Sequence, residues 1–146
     1  MPALTRRRSD DPHRESWRVY YDGDVHIGSI GQRAGVPKTV DQWGWNVAFY
    51  PVSHRGIREN GTAQDLLEAR AAFAAAWARI EPLVTDDDLL QHRRERTWTA
   101  WKYRMFDCGC RMPTQTASGR STCFCGAEID VVGTERHVYA EHMGMR

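Results

Sequence analysis

The first 107 residues of this 146-residue chain contain no cysteine. That excludes a disulfide framework or a thiolate metal centre from most of its length. No run approaches the roughly 20 apolar residues a membrane-spanning helix needs. Charge of one sign is not in excess either: 20 Lys and Arg stand against 19 Asp and Glu, for a net charge of +1. No global field therefore draws the chain to nucleic acid or to an anionic membrane, and such a partner would have to meet a local patch. The opening stretch MPALTRRRSDDPHRES lacks the apolar core of a secretory leader. It is expected to be a disordered, mildly basic tail over residues 1–16. The reducing cytosol is then the expected compartment, where thiols stay reduced. Catalytic signatures are missing as well. There is no H-E-x-x-H, no H-x-E with P-C-x-x-C, no phosphate loop and no G-x-S-x-G elbow, so the chain reads as a non-enzymatic protein.

What is present begins with alternation. WRVYYDGDVHIGSI places Trp17, Val19 and Tyr21 before Asp22-Gly23, and Val25 and Ile27 after it. Asp-Gly tolerates the positive φ values of a tight primed turn, so a β-hairpin is predicted. In QWGWNVAFYP, Trp43, Trp45, Val47 and Phe49 share one strand face, and Pro51 ends the strand. Thr62 with Asp65 forms a capping pattern. Leu66, Ala69, Phe73, Trp77 and Ile80 then recur at helical spacing up to Pro82. Residues 17–84 are thus predicted to be a three-stranded antiparallel sheet packed on one helix, with the tryptophan stripe as its core. The other sheet face, with Arg18, Tyr20, His26 and Asn46, is the better candidate surface.

This segment resembles small uncharacterised proteins of rhizobia and related alphaproteobacteria. The shared motifs are W-x-V-x-x-D-G (Trp17 to Gly23), W-x-W (Trp43 to Trp45) and G-T-A-x-x-L-x-E-A-x-A-A-F-x-x-x-W (Gly61 to Trp77). The resemblance implies a fold and a bacterial origin, and no activity.

Residues 85–106 open on another cap, Thr85 with Asp88. The acidic triplet Asp86, Asp87 and Asp88 suits a helix N-terminus better than a cation site. The helix is expected to run to about Arg96. TWTAWKYRMF, rich in aromatic and β-branched residues, is expected to lead as a strand into Cys108. Arg93, Arg94, Arg96, Lys102 and Arg104 interleave with Trp98, Trp101 and Tyr103. Phosphate contacts combined with aromatic stacking are how single strands are held. Arg93, Arg94, Arg96, Trp101, Lys102 and Arg104 are therefore the candidate surface for nucleic acid or a protein partner, against the alternative of a solvated helix face followed by core aromatics.

All four cysteines lie in CGCRMPTQTASGRSTCFCG, residues 108–126. A metal site, disulfides between the pairs and loose thiols compete for them. Four thiolates on two C-x-C turns can fill a tetrahedral zinc, and Gly109 and Gly126 let backbone N–H groups turn toward sulfur. Residues 107–146 are expected to be a unit resembling an atypical C-x-C/C-x-C zinc ribbon. It would hold one structural Zn2+ on Cys108, Cys110, Cys123 and Cys125. His137 and His142, five positions apart, would diverge by about 140° on a helix. They are not expected to chelate as a pair, although either is able to replace a cysteine. The fold class is α+β. The expected function is that of a zinc-stabilised nucleic-acid-binding protein or small regulator, the alternatives being a protein–protein adaptor or inhibitor and, after it, a metal-dependent enzyme; no membrane partner is expected.

Overall fold

Hydrophobic alternation builds the first unit as the sequence leads one to expect. The computed structural model describes residues 2–146, which divide into one unit ending at Leu89 and a second spanning Leu90–Arg146. Strand β2 (Ser16–Tyr21) and strand β3 (Val25–Gln32) pair antiparallel across Asp22-Gly23. Both turn residues have positive φ, 53° and 77°. Strand β4 (Trp43–Val47) pairs antiparallel with β3 and sets Trp45 opposite Ile30. Helix α1 (Leu66–Ile80) buries Ala69, Phe73, Ala76, Trp77 and Ile80. They join Trp43, Val47 and Phe49 in one core, with the Phe49 and Trp77 rings 6.1 Å apart. The large side chains among these each contribute about 1.5–3 kcal/mol of transfer free energy, and the alanines less. The stripe is core at Trp43, Val47 and Phe49, while Trp45 is half-buried against it.

The sheet has five strands rather than three, in the order β1-β2-β3-β4-β5. Strand β1 (Leu4–Arg8) lies inside the stretch expected as a disordered tail and pairs with β2, Leu4 opposite Tyr21 and Arg8 opposite Trp17. Its charge hides its pleat: Leu4 packs against the core, and the Arg6 guanidinium sits 5.6 Å from the Trp17 ring centre. Strand β5 (Glu59–Ala63) falls between the predicted third strand and the helix, in polar sequence with no apolar alternation. It pairs with β4 and sets Gly61 opposite Trp45. A Cβ at Gly61 would lie 2.8 Å from the Trp45 indole, so glycine is what lets that ring cover the strand.

Because β5 takes up Thr62, α1 starts later than the T-x-x-D pattern implies. Thr62 donates its hydroxyl to Asp41, and the N-cap is Asp65, whose carboxylate accepts the Glu68 N–H at 2.8 Å. Helix α2 (Asp86–Asp107) has the expected cap. Thr85 N–H donates to Asp88, and Asp88 N–H donates to the Thr85 hydroxyl. Arg55 closes on the same buried carboxylate with two hydrogen bonds, 2.7 and 2.9 Å. That pair holds the Asp88 carboxyl well below its ordinary range, at about 2.

The expected break near Arg96 and the strand after it do not occur: α2 is one helix to Asp107. Thr97, Trp101 and Met105, each four positions apart, are all buried. Burial of that stripe outweighs the weak strand preference of its aromatic and β-branched residues. The second unit gathers Trp101, Met105, Cys123, Ile129 and Val138 into its own core. It adds a two-stranded hairpin, β6 (Arg120–Thr122) with β7 (Glu128–Asp130), and helix α3 (Thr134–Glu141). Among the described residues no helix is long and apolar enough to cross a membrane.

Candidate metal centre

The hairpin turn between β6 and β7 carries the second C-x-C pair. Cys123 N–H donates to the Ala127 carbonyl and Gly126 N–H to the Cys123 carbonyl, each at 2.8 Å. This tight turn aims both thiols to one side. Helix α3 brings His137 to that side, and His142 stands at its C-cap with φ −122° and ψ 9°. The divergence expected of two histidines five apart assumes a continuous helix. At the cap the chain leaves the helical path, and the two imidazoles meet with ring centres 5.1 Å apart.

Cys123, Cys125, His137 and His142 thus place one sulfur or nitrogen each within 4.8 Å of all the others. Two of the separations are sharper: Cys123 Sγ to His142 Nε2 and Cys125 Sγ to His137 Nε2 are both 3.5 Å. A tetrahedral ion bound at about 2.3 Å from sulfur and about 2.05 Å from nitrogen requires a sulfur–nitrogen edge of about 3.6 Å. Two of the six edges of the donor set already have that length, and the four residues together could hold a metal ion.

The surroundings support the sulfur. The Trp101 indole N–H, in the core, donates to Cys123 Sγ at 3.3 Å, and the Cys125 backbone N–H reaches the same atom. Burial nonetheless pushes the Cys123 thiol above its ordinary value. Desolvation, and then the neighbouring His137, hold His142 below the ordinary imidazole value, toward the neutral form that ligates metals.

Cys108 and Cys110, expected as the other two ligands, are not members of this set. Their glycine serves a different purpose. Gly109, with φ +71°, closes a Schellman cap on α2: its N–H donates to the Phe106 carbonyl at 3.0 Å, and Cys110 N–H donates to the Met105 carbonyl at 2.8 Å. Cys110 is the apolar residue that follows such a cap, half-buried against the core that holds Met105. Cys108 is exposed. C-G-C therefore ends a helix, whereas C-F-C turns a hairpin.

The basic and aromatic stretch of α2 also resolves into separate roles. Trp101 is fully buried, so it is not available to stack on a base. Arg94 lies over the Tyr139 ring at 5.3 Å and Arg104 over the Phe124 ring at 5.6 Å. Arg93 and Arg96 are half-buried and already engaged. Lys102 is exposed and borders an apolar groove of about 460 Å³ with Tyr103, Met105, Phe106 and Met112.

Sequence reasoning admits either histidine in place of a cysteine and misses that both join the set. The signal was present: four residues separate His137 from His142, within the spacing usual for the histidine pair of Cys2His2 sites. Comparison with protein-family models, with curated proteins and with solved structures gives no match for this chain.

Proposed function

We propose that this chain is a non-enzymatic binding protein whose C-terminal unit is held by one structural zinc ion on Cys123, Cys125, His137 and His142. The observation that carries this reading is the convergence of two thiols and two imidazoles, with two sulfur–nitrogen separations at the tetrahedral edge length. Thiolate and imidazole together suit zinc, and four protein ligands leave no coordination position for water or substrate. A need for the ion is also evident, since the core of this unit has only five buried apolar residues. Metal binding supplies folding energy to units that small.

The order hairpin then helix, with cysteines in the turn and histidines on the helix, is that of Cys2His2 zinc fingers. That likeness does not extend to reading DNA bases through α3, where Glu135 and Glu141 flank the exposed Arg136. Nucleic acid remains the first candidate partner, and the protein is expected to work in a reducing compartment such as the cytosol. A second reading, a protein–protein adaptor, is favoured by the exposed rings of Tyr103 and Phe106.

The test is metal analysis of protein purified under reductant and never chelated. One zinc per chain is expected, lost in Cys125→Ser and His137→Ala and kept in Cys108→Ser. Chelation should open residues 90–146 to protease and leave the first unit intact, because that unit has its own core and no ligand. Metal-free protein with the same protease pattern would sink the proposal. So would turnover lost on chelation while the fold stayed unchanged.

A further inference from the structure

The sheet face turned away from α1 carries guanidinium groups, and none of its strand positions is acidic. Arg7 and Arg18 are direct partners across β1 and β2. Side chains so placed stand about 4.5–5.5 Å apart at Cβ, where like charges destabilise the pair unless an anion lies between or above them. A third guanidinium shares the face. The Arg33 stem runs over Gly44, where a Cβ would meet its Cγ at 3.6 Å. On the turn side of Arg7 and Arg18 lies a row of planar groups. The Arg7 guanidinium is 4.7 Å from the Tyr20 ring centre, and the Tyr20 and His26 rings are 5.3 Å apart. Arg33 donates to the Asp41 backbone carbonyl at 2.9 Å, and the Asp41 carboxylate accepts the Thr62 hydroxyl.

We propose that this face binds single-stranded nucleic acid, with phosphates on Arg7, Arg18 and Arg33 and bases against Tyr20 and His26. The inference rests on the binding-protein reading above and names its partner. Cations alone would suit any polyanion. Flat rings set beside them favour a ligand with exposed π-faces, which a single strand offers and a duplex keeps stacked inside. The face offers no large aliphatic side chain to insert into a membrane.

The test is fluorescence anisotropy of the full, metal-loaded chain with labelled oligothymidylate and oligouridylate of about 12 nucleotides. A duplex of the same length and polyglutamate serve as comparators. Three phosphate contacts on a single strand give a logarithmic salt slope of about −2, or about 20-fold weaker binding at 200 mM than at 50 mM salt. Arg7→Ala with Arg18→Ala should flatten that slope to about −0.7. Both side chains are exposed and repel each other across the strands, so the melting temperature should not fall. Tyr20→Leu should weaken binding about tenfold at unchanged slope, and Arg136→Ala should do nothing. Cys125→Ser, which empties the metal centre, should keep oligonucleotide binding. A failure of the zinc reading would thus show in metal content alone, and a failure of this one in the slope alone. The proposal is overturned by an unchanged slope in the double variant, by no retention at 50 mM salt, or by tighter binding of duplex or polyglutamate.

Discussion

Trp101→Phe keeps an aromatic ring in the core of residues 90–146 and deletes the indole N–H aimed at Cys123. Two effects follow, and they separate. The smaller ring leaves a void of roughly 35–40 Å³, which at about 24 cal/mol per Å³ costs about 1 kcal/mol of folding free energy. The lost N–H···S bond, 3.3 Å long and fully buried, acts on the thiolate alone. Hydrogen bonds to charged groups contribute about 1.5–3 kcal/mol, and outer partners of metal ligands typically change affinity 10- to 100-fold. The thiolate shares its charge with the ion, so the lower half of that range is expected: zinc affinity about 10- to 30-fold weaker. Competition against a chromophoric chelator measures the affinity, and Val138→Ala, which opens a void in the same core and keeps the indole N–H, measures what a void alone does to it. An affinity for Trp101→Phe no weaker than that for Val138→Ala would show that the indole N–H does not support the metal-bound sulfur.

Three further outcomes test the fold. Asp88 has its folded-state pKa depressed to about 2 from 3.8, so its stabilisation is complete above about pH 4 and is lost as pH falls toward 2. The effect is at most about 2 kcal/mol, and nearer 1 because the Arg55 side chain is 45% exposed. Acid titration of Asp88→Asn should lack this component of the unfolding curve. Gly61→Ala puts a Cβ 2.8 Å from the Trp45 ring, which should cost about 1–3 kcal/mol and shift tryptophan emission as the ring is displaced; unchanged emission and stability would refute that packing. Gly109→Ala should lower stability by about 1 kcal/mol through its left-handed backbone and leave zinc affinity unchanged. A weakened metal site there would restore the reading of C-G-C as a metal-binding turn.

The hairpin at Asp22-Gly23, the Trp43–Phe49 stripe, the buried face of α1 and the Thr85–Asp88 cap were legible because each has a short-range cause: turn chemistry, a period of two, a period near four, a reciprocal hydrogen bond. What escaped was set by partners distant in sequence. Nothing in T-R-R-R marks a strand until Val19 and Tyr21 offer it a ladder, and E-N-G-T becomes a strand because Trp45 needs a glycine beneath its ring. Half of the metal centre was legible, since C-F-C does turn a hairpin. The other half was assigned by symmetry to C-G-C, although Thr97, Trp101 and Met105 already set a four-residue period leading into Gly109 as a helix stop. The histidine pair was lost by extending helical geometry through a residue that caps the helix.

Strand β1 also settles how the open border of the sheet behaves toward a second copy of the chain. Its outer row of backbone N–H and C=O groups is a template on which another strand is able to add. Two β1 strands laid side by side antiparallel would bring Arg6, Arg7 and Arg8 of each against the same triplet of the other. In that register Arg7 meets Arg7 on one sheet face and Arg6 meets Arg8 twice on the other, with no carboxylate from either strand between them. The arginine run thus acts as a gatekeeper against sheet-to-sheet polymerisation. The opposite border, β5, is occupied differently: Glu59 is tied to Arg79 by a 2.6 Å ion pair, and the Trp45 ring lies over Gly61. Neutralising the arginine triplet should therefore open a path to fibrous aggregates from the border that now repels itself.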